Sequence, residues 1–204
     1  MSIRRFAFAS AALLATAAPV LAQQRQAPMF TVEGGANYQA LRGGVFGDLN
    51  DGRGAEAQFT VGISNLALSL GYQRSWHDVV GTGSASGTPR QATLSGFYIE
   101  PRLALPFAAS NFTPYLYGRG GLLERAETIG DAEVTSTASQ LGGGLGSQIY
   151  LAKGIHLNIA GGYQFIRAGK RIADDTRANG GAYVMRAGLT IGGGSSGWAR
   201  DPGY

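Results

Sequence analysis

The 204-residue chain has no cysteine, so no disulfide can hold it together and its stability must come from hydrogen bonding and packing. Lysine is nearly missing too: Lys153 and Lys170 are the only two. Charged residues make up 15% of the sequence, against about 25% in soluble domains. An exterior that faces water is normally coated with lysine and glutamate, and this chain has too few to make one. Beyond the first 21 residues no stretch is apolar enough to be a transmembrane helix. Clustered basic charge is lacking as well. The formal charge is +4, yet the 17 basic residues less Arg4 and Arg5 leave 15 against 13 acidic ones. These are scattered and form no aromatic–basic platform, which argues against nucleic acid as a partner.

What is present begins with a short basic segment, Met1-Ser2-Ile3-Arg4-Arg5, followed by an apolar run from Phe6 through Leu21. Val20-Leu21-Ala22 offers the small or aliphatic residues that a signal peptidase reads. This is the layout of a secretory signal peptide, cleaved near Ala22 so that Gln23 opens the mature chain. A membrane-anchoring helix fits less well, given Pro19 and the many alanines. The implied organisation is a signal peptide at 1–22, a short extension at 23–28, one barrel domain at 29–191 and a glycine- and serine-rich flexible tail at 192–204. Glycine is abundant, at 33 residues, and phenylalanine and tyrosine contribute nine each.

The pattern of the mature chain is set by Phe30-Thr31-Val32-Glu33-Gly34-Gly35-Ala36-Asn37-Tyr38-Gln39. Apolar and polar residues alternate strictly, the period of a strand with two unlike faces. About 9–11 residues are enough for a tilted strand to cross a bilayer. A lone strand cannot enter lipid with its N–H and C=O groups unpaired, so it demands enough partners to close a barrel. Seven more candidates follow: Ala55–Ser64, Leu66 to about Trp76, Gln91–Arg102, Phe112–Leu123, Ala138–Leu151, Ile155–Ile166 and Ala182–Ile191. The connections between them alternate long and short. Long ones are expected near 41–54, 77–91, 124–137 and 167–181. An up-and-down barrel of the outer membrane has this asymmetry, with brief periplasmic turns and longer external loops. The expected fold is therefore all-β: an eight-stranded antiparallel transmembrane barrel.

Alternation alone does not say which face is outside, since a soluble lipocalin-like barrel would turn its apolar face inward. Three features favour the membrane version. The polar face is built of Gly, Ser, Thr, Gln and Asn rather than lysine and glutamate. Aromatics sit near strand ends, at Phe30, Tyr38, Trp76, Tyr163 and Phe165, where interfacial girdles belong. Glu33, Glu56, Glu100, Arg102, Arg119 and Arg186 would all point into one lumen, where three acids can meet three arginines. For the fourth strand this choice places Phe97 and Ile99 outward, because a charge on the lipid-facing wall costs up to about 2–4 kcal/mol at mid-depth.

With this signal peptide, eight amphipathic strands and the segment Thr113-Pro114-Tyr115-Leu116-Tyr117-Gly118-Arg119-Gly120-Gly121, the chain resembles small outer-membrane β-barrel proteins of the OmpA/OmpX and opacity-protein type. The resemblance covers roughly residues 28–191 and implies an integral outer-membrane protein of a Gram-negative-type bacterium. Such proteins usually end on an aromatic of the last strand, read by the insertion machinery. Here the last strand ends Leu189-Thr190-Ile191, so the signal is either internal at Ile191 or carried by Tyr204.

Little in the sequence points to chemistry. Ser75-Trp76-His77-Asp78 puts a hydroxyl and an imidazole on one face, but its order does not match the His-x-Ser arrangement of lipid A deacylases. His156 reads as a hydrogen-bonded filler of the lumen. Asp48-Leu49-Asn50-Asp51-Gly52 lacks the closing glutamate of a calcium loop, whose twelfth position here is Phe59. Gly142-Gly143-Gly144-Leu145-Gly146 has no following helix and is no nucleotide loop; its glycines leave room for Tyr115 and Tyr117. Eight strands leave an interior just wide enough for side chains. The expected function is thus non-enzymatic, structural or interactive, with no metal and no cofactor, and with outer-membrane lipid, lipopolysaccharide and cell-surface ligands as partners of a monomer. A small channel is the first alternative; a soluble ligand-binding barrel and a lipid A-modifying enzyme come after it.

Overall fold

The computed structural model describes residues 29–43, 46–80, 91–106, 111–129, 132–168 and 179–193. Within them run eight strands: β1 (Met29–Arg42), β2 (Gly52–Ile63), β3 (Leu66–Asp78), β4 (Gln91–Ala104), β5 (Phe112–Ile129), β6 (Ala132–Ala152), β7 (Ile155–Ala168) and β8 (Asn179–Gly193). Each pairs antiparallel with its sequence neighbour. β1 then pairs with β8, from Phe30↔Gly193 to Arg42↔Gly181, and closes the barrel. Closure leaves no bare edge, so every strand finds its ladder on both sides. The signal peptide, the tail with Tyr204 and most of the second and fourth long connections lie outside the described residues.

The tight reversals fall at one end. Ser64 takes a left-handed φ of 57° and Gly154 one of 70°, the conformation that two-residue hairpin turns require. A register shift between Tyr150 and Ala152 lies beside the second of these turns.

The largest departure from the sequence reading is at 124–137. This stretch is mostly ladder: pairing between β5 and β6 continues from Leu123↔Ala138 to Ile129↔Ala132. Beyond the lipid, neither face of a hairpin has to be apolar, so alternation disappears while the backbone bonds go on. The first and last strands also run past their expected limits, β1 to Arg42 and β8 to Gly193.

Apolar side chains face outward. Val32, Leu70, Phe97, Ile99, Leu122, Leu141 and Phe165 are all more than half exposed, while Glu33, Glu100, Arg102 and Arg119 are almost wholly buried. A soluble barrel would have the reverse arrangement, so this one is wetted by hydrocarbon.

Candidate functional site

The interior is filled in three tiers. The tier nearest the tight turns packs Met29, Ala67, Tyr115, Tyr117 and Ala160, with Ala104 against them. Glycine on neighbouring strands makes space for the rings. A Cβ at Gly146 would collide with Tyr115 and one at Gly71 with the ring of Tyr98.

The middle tier gathers all six charged residues that the sequence assigned to the inward face. Glu100 is its hub. It accepts from Arg102 Nε at 2.8 Å, from Arg119 Nε at 2.7 Å and from Arg186 Nη2 at 2.6 Å. Glu56 accepts from Arg119 at 3.2 Å and Arg186 at 3.3 Å. Glu33 lies lower, 3.4 Å from Arg102, and takes further bonds from Asn158 at 2.5 Å and Thr190 at 3.3 Å. Each arginine also rests on a tyrosine face: Arg102 on Tyr115 at 5.0 Å, Arg119 on Tyr98 at 3.7 Å and Arg186 on Tyr117 at 4.5 Å. Three carboxylates and three guanidiniums leave no net charge in the tier. Charges removed from water are tolerable only when paired and hydrogen-bonded in this way.

The third tier closes the other mouth, and the sequence reading missed it. On the outer halves of the strands the inward positions turn apolar, with Leu41, Leu94, Leu123, Ile166 and Val184 in one cluster. The connection between β1 and β2, expected as a polar external loop, sends Phe46 and Leu49 into that cluster, where they are 5% and 7% exposed. Backbone bonds hold it there: Leu49 bridges Val79, Asn50 N donates to Asp78 O at 2.9 Å, and Val80 N donates to Asp48 O at 2.7 Å. Arg125 clamps Asp48 at 2.6 Å, and the Phe46 ring lies over Gly180, where a Cβ would come within 2.7 Å of it. The only signal for this in the sequence is two large apolar residues three apart inside an otherwise polar loop.

Ser75 and His77 do meet, Oγ to Nε2 at 2.9 Å. The other imidazole nitrogen faces Asn50 O at 3.0 Å, so the histidine ties β3 to the plugging loop. Both residues are buried beneath it, at 0% and 1% exposure, with no path to lipid. His156 is buried in the lumen with its ring edge-on to Tyr150, the centroids 5.7 Å apart. No group of three metal-ligating side chains occurs among the described residues.

The five strand-end aromatics all lie on the outer wall. Phe30 stacks with Phe59 at 6.3 Å near the turn end. Tyr163 contacts both Phe165, at 4.9 Å, and Tyr183, at 5.0 Å. Trp76 carries the Arg74 guanidinium at 5.7 Å. The Tyr38 hydroxyl donates to Asp51 at 2.8 Å, and with Arg42 at 3.1 Å it holds the Asp51 carboxyl below the usual carboxylate range.

The family described as "Outer membrane protein beta-barrel domain" matches residues 8–190 of the chain. No curated protein matches it. Among solved structures, Neisserial surface protein A is 18% identical, with 79% of this chain aligned to 96% of that one at a TM-score of 0.57. Ail, the attachment invasion locus protein of Yersinia pestis, solved with the heparin analogue sucrose octasulfate, is 12% identical, with 81% of this chain aligned to 99% of that one at 0.50. A major outer membrane protein from Thermus thermophilus is 13% identical, with 81% aligned to 98% at 0.51. At these identities the likeness is one of fold.

Proposed function

The chain belongs to the outer membrane protein β-barrel domain family, and from that premise we propose a sealed, non-enzymatic barrel. It contributes to envelope integrity and meets lipopolysaccharide or other cell surfaces through its external end. One observation carries the reading: a neutral Glu–Arg core, with Glu100 fully buried and Arg119 at 1% exposure, lies between the apolar plug at the loop end and a close-packed tier at the turn end, where Met29, Tyr115 and Tyr117 sit among Thr31, Ser69 and Asn158. An ion crossing this axis would have to strip its water in the apolar plug and break the ion pairs beneath it. Lys170, Arg171, Asp174, Asp175 and Arg177 of the last long connection carry both signs, which suits contact with mixed polar surfaces. Enzymatic action on lipid A is disfavoured because Ser75 and His77 face the lumen. Export with cleavage near Ala22, and a monomeric state, complete the proposal.

Planar-bilayer recording tests it. The purified protein, shown to be folded by a band shift on boiling, should give no unitary conductance. Stable single-channel steps would overturn the sealed barrel in favour of a channel.

A further inference from the structure

Two arginines are out of place on the lipid-facing wall. Arg53 and Arg74 are exposed and share the outward parity of Ala55, Ala57, Tyr72 and Trp76. The ladder pairs Arg53 with Trp76 and Ala55 with Arg74. The two arginines are therefore diagonal neighbours on adjacent strands, about 7–8 Å apart at their backbones and within reach of one group between them. Among the described residues neither has an ion-pair partner. Asp51, the carboxylate closest to Arg53 in sequence, accepts from Tyr38 and Arg42. Trp76 and Tyr38 mark this level as the interface at the loop-bearing end, where an arginine costs about 0–1 kcal/mol against lipid.

Directly toward the turn end lies a groove of about 560 Å³ in the same wall. Small residues Ser95 and Gly120 form its floor, and Tyr72, Phe97, Ile99 and Leu122 form its sides. Tyr72 and Phe97 meet at 5.0 Å. Tyr72, two residues from Arg74, and Ser95, paired with Arg74, join the groove to the arginines. Glu124 on β5 also lines the groove, with Ser95 between it and Arg74 and Thr137 of β6 beyond it.

We propose that Arg53 and Arg74 clamp a phosphate of a phosphorylated glycolipid of the outer leaflet, whose acyl chain lies along this groove. The inference rests on the outer-membrane reading above, which puts the loop-bearing end in the outer leaflet. Charge complementarity names the headgroup: guanidiniums bind phosphate oxygens through paired N–H donors. The adjoining, mostly apolar groove suits an acyl chain, so the phosphate is assigned to a lipid.

Binding to the full processed protein in detergent tests this with three probes: lipid A with its phosphates, the same lipid dephosphorylated, and inorganic phosphate alone. Surface arginines contribute about 1 kcal/mol each toward anionic lipid, so Arg53→Gln with Arg74→Gln should weaken phosphorylated lipid A about thirtyfold. Dephosphorylated lipid should bind both proteins equally and weakly. Gly120→Leu should weaken lipid A with both arginines intact. A Cβ there meets only Leu141 Cδ1, at 3.9 Å, so the barrel accepts the change. Wild-type binding should also fall between about 0.1 and 1 M salt as screening shortens, a measurement that needs no variant to fold. Unchanged affinity of phosphorylated lipid A for the double variant, wild-type binding of the dephosphorylated lipid as tight as that of the phosphorylated one, displacement by equimolar inorganic phosphate, or indifference to salt would each overturn the clamp. None of these outcomes bears on the sealed lumen, which is read by conductance.

Discussion

Among single residues, Glu100 is the one on which most depends. Three guanidiniums converge on its two oxygens, whereas Glu33 shares its charge with Asn158 and Thr190. Removing one partner from a buried ionic cluster costs about 3–5 kcal/mol, because the others stay buried and uncompensated. Glu100→Gln should therefore destabilise by about that amount and Glu33→Gln by clearly less, read by urea unfolding in lipid vesicles. Alternation in the sequence put Glu33, Glu56, Glu100, Arg102, Arg119 and Arg186 on the enclosed face. It could not say which acid would be the hub. Arg186 reaches Glu100 across 86 positions of chain, and that meeting depends on barrel register and diameter, which no local pattern encodes. The tyrosine beneath each arginine was equally hidden: Tyr115 and Tyr117 read only as bulky residues that glycines make room for, and nothing singled out Tyr98.

Among elements, the membrane-crossing parts of the strands were legible and their outer parts were not. Lipid imposes a period-2 rule that the sequence must obey. Above it, β5 and β6 continue as a ladder through Glu124, Arg125, Thr135 and Thr137 with no such rule to read. The plugging loop was hidden for a related reason: glycine and aspartate announce a turn, and nothing local says that Phe46 will fold back inside. Its contribution can be measured separately from that of the barrel. Phe46→Ala removes a side chain whose loss from a core costs about 3–5 kcal/mol, but a loop can open locally, and that caps the global effect. Amides of Leu49, Asn50 and Val80, which bond within or to the loop, should then exchange at least about tenfold faster. Amides of the β7–β8 ladder should keep their protection, and the urea midpoint should move little. Hydrogen exchange followed by mass spectrometry distinguishes this from a loop that merely rests on the mouth.

For the whole molecule, the governing fact is that the greasy surface is the outer one, and its tolerance of charge should depend on depth. Along β3, Leu68 and Leu70 are 53% and 58% exposed, then come Tyr72, Arg74 and Trp76, all outward. The order from aliphatic to aromatic to cationic follows the passage from hydrocarbon to headgroup. Arginine placed deep in the wall costs about 2–4 kcal/mol, and near the interface about 0–1. Leu70→Arg, one turn-ward layer beyond Tyr72, should accordingly lower unfolding free energy in vesicles by about 2–4 kcal/mol. Arg74→Leu should change it by less than about 1 kcal/mol, though both replacements alter one exposed side chain on the same strand. In detergent micelles, which adapt their thickness to the protein, the difference should shrink. A soluble barrel would enclose the apolar face, so Leu70→Arg would bury a charge and cost the same in micelles as in vesicles, with no dependence on the bilayer. The comparison therefore reads the orientation of the fold, and it does so without reference to what the external loops bind.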